Sequence, residues 1–170
     1  FGNNYSAISH KRHTTRESLF GILTFQNCQF CFYDNPGYGY EKNYRSEDKS
    51  NKSLNQQVDS ADIILFLTSF KINNHDIDFN ENLLVTKNVC DYSVNNKVRN
   101  FIFSSSATVY GEPDIFPTPE SLISNQTSLY GASKISCESF IQAYSNYGYF
   151  KSTIFRFVSW IGYGYSHGVI

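Results

Sequence analysis

Tyr130 and Lys134 stand four residues apart at the start of a segment whose apolar positions predict a helix over 128–146. Residues at that spacing share one helix face. An ammonium held there stabilises a phenolate and makes tyrosine a usable base near neutral pH. Upstream lies a run of hydroxyl side chains, Ser104-Ser105-Ser106-Ala107-Thr108-Val109-Tyr110-Gly111, closing an apolar stretch. A serine at the carboxyl end of a strand can meet that phenol over a bound alcohol. The chemistry this predicts is proton removal from an alcohol, of the oxidoreductase type, on a nucleotide-binding sheet.

Such residues need rigid elements to position them. Ala61-Asp62-Ile63-Ile64-Leu65-Phe66-Leu67 is a continuous apolar run between polar segments, the pattern of a strand buried on both faces of a parallel sheet. Leu83, Leu84, Val89 and Tyr92 predict a helix over 80–94, and 98–103 reads as the next strand, closed by the serines. Ile135, Phe140, Ile141 and Tyr144 lie on or near one face of the helix over 128–146, and 153–158 reads as a further strand. Strands alternating with helices predict an α/β fold with a parallel sheet, whose ligands sit beyond the carboxyl strand ends. Further upstream, 21–33 is apolar and aromatic and stops at the turn signal Asp34-Asn35-Pro36-Gly37. The polar stretch over 42–60 has room for a short helix near 52–58.

The 170 residues suffice for one domain with a real core. With 41% hydrophobic and 17% charged residues, the composition is that of a globular chain rather than a disordered one. A net charge of −1 implies no basic face, so nucleic acid is not expected as a partner. No apolar run approaches the ~20 residues that span a bilayer, and no signal-peptide pattern opens the chain, so a cytoplasmic location is expected. Cys28 and Cys31 form a lone C-x-x-C without a second ligand pair, so no metal site is expected and both read as core or half-buried thiols. His10, His13 and His75 read as surface or loop residues. The chain starts at Phe1 and contains no methionine, which reads as a fragment or internal piece.

From about residue 61 onward, and most specifically over 101–134, these motifs resemble the extended short-chain dehydrogenase/reductase family, the NAD-dependent epimerase/dehydratase group acting on nucleotide sugars. Phe155-Arg156-Phe157-Val158-Ser159-Trp160-Ile161-Gly162 is similar to the family's Arg-Phe-x-Asn-x-x-Gly strand and loop, and Asn82-Leu83-Leu84-Val85-Thr86 to its Asn-x-x-Gly-Thr helix. The resemblance implies a Rossmann-like parallel sheet flanked by helices, incomplete, with 1–170 forming a partial NAD(P)-binding domain. It implies Ser106, Tyr130 and Lys134 as catalytic residues. Asp34, Asn35, Asp48, Thr68, Ser104, Tyr130 and Lys134 would contact NAD, and Ser106, Thr108 and Ser159 the nucleotide-sugar substrate. An acid at Asp34 after the second strand favours NAD over its 2′-phosphorylated form. Asp48 reads equally well as a solvated acid in a polar loop. The family also implies a homodimer through the helices over 80–94 and 128–146.

Dehydratases of this family carry Asp-Glu directly after the hydroxyl residue, because elimination of water needs an acid and a base. Here those positions are Ala107 and Thr108, and the run is similar to that of the hexose 4-epimerases. The implied reaction is reversible hydride transfer through a 4-keto sugar. Several family features are missing. No Gly-x-x-Gly-x-x-Gly turn follows a first strand, Val85 replaces a glycine, Ser159 replaces an asparagine, and no substrate-binding region follows Ile170. The chain by itself is therefore not expected to turn over substrate. A non-catalytic or degraded Rossmann-like module acting as a scaffold is the alternative, together with a dehydratase or reductase of the same family.

Overall fold

A computed structural model describes residues 19–34, 61–67, 75–122 and 125–158. The chain divides into two compact units, Phe1–Ala61 and Asp62–Ile170.

In the first unit, β1 (Leu19–Phe25) and β2 (Cys28–Asp34) pair antiparallel, with Leu19 opposite Asp34 and Phe25 opposite Cys28. Only Gln26 and Asn27 separate them. A two-residue connection can join antiparallel neighbours but never parallel ones. Gln26 takes the positive φ of 52° that such a turn demands. The apolar stretch over 21–33 is thus two strands, and its turn lacks the glycine that ordinarily announces a hairpin. Cys28 and Cys31 are exposed and free, not core thiols. A two-stranded ribbon has no interior of its own, and its side chains stay open unless another layer covers them. The short helix expected near 52–58 lies outside the described residues.

The second unit is a three-stranded parallel sheet in the order β3-β4-β5, made of β3 (Ile63–Phe66), β4 (Asn100–Ser106) and β5 (Lys151–Phe157). Helix α1 (His75–Asn95) connects β3 to β4, and α2 (Leu129–Asn146) lies between β4 and β5. Parallel neighbours require such crossovers. Both helices pack on one face of the sheet. There Phe101, Phe103, Cys90, Cys137, Ile141 and Phe150 form the core, with Ile64, Phe66, Val89 and Tyr144 packed against it. Aromatic rings carry much of this contact: Phe66 stacks on Phe103 at 5.7 Å and Phe101 on Phe150 at 4.9 Å.

Two expectations are corrected. Strand β3 is not buried on both faces, since Ile63 and Leu65 are 51% and 58% exposed while Ile64 and Phe66 turn toward the helices. Among the described residues only one layer of helices covers the sheet, so side chains alternate between core and open face. Strand β4 does not stop before the serines but runs through Ser106, because β5 supplies ladder partners as far as Ser106 opposite Phe157. Tertiary pairing overrides the weak strand preference of serine. Helix α1 begins at His75, five residues before the start expected at residue 80.

Both helices end in the same hydrogen-bonded motif. After α1, the Val98 N–H bonds the Ser93 carbonyl at 2.9 Å and the Lys97 N–H bonds that of Val94 at 3.0 Å. After α2, Tyr149 bonds Tyr144 and Gly148 bonds Ser145 in the same pattern. This termination places one residue in the left-handed region, where glycine suffers no Cβ penalty. Gly148 (φ 81°) fits the requirement, whereas Lys97 (φ 54°) is held there under strain. Lys97→Gly is expected to stabilise the fold by about 0.5–1 kcal/mol, and Gly148→Ala to destabilise it by about 1 kcal/mol. Urea denaturation of the two variants beside the parent chain measures both.

The core carries a pH dependence. Burial, then Asp91 and Cys137, push the Cys90 thiol from 9.0 up to about 12. As pH rises through that window, the unfolded chain has already lost the proton that the folded chain retains. Stability is therefore full below about 9 and is expected to fall as pH rises toward about 12. Tyr144, raised chiefly by burial and by Asp91, acts in the same direction. Denaturant midpoints measured across this range should decline, and the decline should be shallower in Cys90→Ala.

Candidate active site

The carboxyl end of β4 turns directly into a 3-10 turn, Ala107–Tyr110, and Ser106 is its cap. Ser106 keeps extended backbone angles while its hydroxyl accepts a hydrogen bond from the Thr108 N–H at 3.3 Å. The helix bearing Tyr130 and Lys134 starts against this turn. Its cap is Ser128, whose Oγ accepts the Gly131 N–H at 3.0 Å. Gly131 allows the close approach: a Cβ there would lie 2.8 Å from the Thr108 carbonyl oxygen and 2.5 Å from Gln126 Oε1. The Gln126 amide in turn donates to the Val109 carbonyl and ties the helix start to the turn.

This docking brings Ser106, Tyr130 and Lys134 together. The Ser106 side chain is near enough to the Tyr130 phenol to act on its ionisation. Lys134 is only 4% exposed. Its Nζ donates to the Ser104 carbonyl at 2.9 Å and lies 4.9 Å from the Phe103 ring centroid and 5.9 Å from that of Tyr130. Burial lowers the lysine, while Cys137 and Glu138 hold it up. The expected depression of the Tyr130 phenol is not found. Burial raises it, and Ser106 opposes that rise. The ammonium approaches the ring and points its proton at a carbonyl, so burial prevails at the phenol oxygen.

The other predicted positions distribute as follows. Ser104 contributes its carbonyl to Lys134, and Thr108 is exposed on the turn. Asp34 ends β2 in the first unit. Asn35, Asp48, Thr68 and Ser159 lie outside the described residues.

A buried carboxylate paired with an arginine was not foreseen. Glu138, 1% exposed, lies one helical turn beyond Lys134. It accepts a hydrogen bond from Ser105 Oγ and a forked pair from Arg156, with Arg156 Nη2 to Glu138 Oε2 at 2.8 Å. Arg156 also donates to the Glu120 carbonyl at 2.8 Å and lies 4.8 Å from the Tyr110 ring centroid. One guanidinium thus ties β5, α2, the 3-10 turn and the loop before α2. The sequence signal was the Lys134–Glu138 spacing, which alone reads as an ordinary helix-surface pair.

The sequence pattern of the NAD dependent epimerase/dehydratase family matches residues 32–169. The chain belongs to this family. The UDP-glucose 4-epimerase of Corynebacterium glutamicum is 34% identical over 67 residues, 39% of this chain and 20% of that protein. A short-chain dehydrogenase/reductase superfamily protein from Agrobacterium tumefaciens, solved with bound NAD, superposes with a TM-score of 0.56 at 25% identity. It covers 62% of this chain and 34% of that one. A relative of another kind is the GTPase Era of Clostridium tetani, 34% identical over 64 residues, 38% of this chain and 21% of that protein. The chain spans about a fifth of the length of these two curated relatives. No helix among the described residues is long and apolar enough to cross a membrane, and no group of three metal-ligating side chains occurs among them.

Proposed function

We propose that this chain carries the catalytic segment of an NAD-dependent nucleotide-sugar 4-epimerase. The observation that supports it is the placing of the buried Lys134 ammonium and the Tyr130 ring at the carboxyl end of a central parallel strand that ends in Ser106. A hydroxyl, a phenol and an ammonium in that place fit the nicotinamide ribose of NAD, which Tyr130 and Lys134 would hold. When bound, NAD supplies a reversible hydride acceptor. Tyr130 takes the proton of the sugar hydroxyl, and Ser106 orients that oxygen and shares the proton. Ala107 and Thr108 carry no ionisable group, which favours epimerisation over dehydration. The nucleotide-sugar substrate and pairing of two copies through α1 and α2 belong to the same proposal.

In the complete protein, Tyr130→Phe is expected to lower sugar turnover by about 10²–10⁴-fold, with NAD affinity by calorimetry nearly unchanged. Unchanged turnover would exclude the role given to Tyr130.

A second reading concerns the first unit. The antiparallel hairpin is a poor match for parallel nucleotide-binding strands, and the matched length of 64 residues in GTPase Era is close to that of Phe1–Ala61. On this reading the first unit is a module akin to part of GTPase Era, and Asp34 has no part in holding NAD. Asp34→Asn separates the two. A tenfold or greater loss of NAD affinity supports the ribose contact, and an unchanged affinity supports the separate module.

A further inference from the structure

The Glu138–Arg156 pair has no part in the proton transfer just described, yet Glu138 stands one helical turn beyond Lys134 and its charge acts on that ammonium. Glu138 and Lys134 are four apart on α2, and four-apart side chains on a helix are neighbours. Glu138 is buried, and a buried carboxylate seeks the nearest cation. Two cations are within its reach, Lys134 on its own helix and Arg156 on β5. In the structure the guanidinium occupies both carboxylate oxygens and Ser105 bonds one of them, while the Lys134 ammonium donates to the Ser104 carbonyl.

We propose that Arg156 is a positioning residue that cancels the charge of Glu138, so that the Lys134 ammonium serves Tyr130 rather than the carboxylate. This deepens the epimerase reading and rests on it for its catalytic meaning, but the charge arrangement belongs to the chain itself. The planar fork of arginine suits the task, since it meets a carboxylate at two points, whereas lysine offers a single point charge. The groups facing this cluster are Tyr130, Lys134 and Cys137 on α2, Tyr110 on the 3-10 turn and Arg156 on β5. With Glu138 held by Arg156, Lys134 keeps its positive charge toward the Tyr130 ring, 5.9 Å from the centroid.

The test is the ionisation of Tyr130 in the full chain, followed by NMR of ring-labelled tyrosine and assigned with Tyr130→Phe. It needs neither NAD nor sugar, so a chain that fails to bind NAD would refute the epimerase reading without touching this result. Arg156→Gln is expected to move Tyr130 ionisation about one pH unit higher. Arg156→Lys, which keeps the charge and so protects folding, is expected to move it in the same direction by less. Glu138→Gln together with Arg156→Gln is expected to restore the parent titration, because the uncancelled carboxylate is gone. A purely structural role predicts no such restoration. An unmoved Tyr130 in both Arg156 variants overturns the proposal, as does a double variant that titrates like Arg156→Gln.

Discussion

Phe103→Ala is expected to destabilise the chain by about 3–5 kcal/mol, the usual cost of emptying a large aromatic site in a packed core. Phe103 is fully buried at the centre of β4, stacks on Phe66 of β3 at 5.7 Å, and belongs to the cluster with Cys90, Cys137 and Ile141. The middle strand of a three-stranded sheet cannot close over such a void without moving both neighbours. The same ring also lies under the Lys134 ammonium at 4.9 Å, so the core and the candidate site share a side chain. Phe103→Leu should cost much less, because it retains most of the volume, yet it removes the aromatic face beneath Lys134. Chemical denaturation of the two variants separates packing from the cation–ring contact.

Glu138→Ala is expected to cost a further large amount, about 3–5 kcal/mol, for a different reason. The substitution leaves Arg156 without its carboxylate and Ser105 without its acceptor. Removing one member of a buried pair strands the other, whereas replacing both with neutral groups of similar shape is often tolerated. The paired substitution Glu138→Gln with Arg156→Gln should accordingly be closer to the parent in stability than Glu138→Ala is. Calorimetric unfolding of the three proteins measures the difference, and a paired variant as unstable as Glu138→Ala would show that the ion pair itself holds the fold. The contrast also protects the reading of Arg156, since a stability loss and a displaced Tyr130 titration are separate measurements.

The N-terminal unit shows where local pattern gave out. Apolar and aromatic residues over 21–33 announce extended chain, but a Gln-Asn turn carries little hairpin signal, and pairing direction depends on which strands become neighbours. The exposure of Cys28 and Cys31 has the same origin, because burial belongs to the layer above a strand and not to the strand. In the second unit, β3 read as doubly buried for the same reason: a continuous apolar run is written identically whether one face or two are covered among the residues described.

What the amino-acid order determined by itself was the alternation of strand and helix, the hydroxyl run at a strand end, and the Tyr130–Lys134 spacing. These are local properties, set by side-chain type and helical period within a few residues. Tertiary structure decided the rest. Gly131 lets α2 approach the Thr108 carbonyl and so brings Tyr130 onto Ser106 across the intervening chain. Burial, which no local pattern measures, raised the phenol that the spacing alone predicts to be lowered. The Glu138–Arg156 pair joins two elements that are neighbours only in the folded sheet.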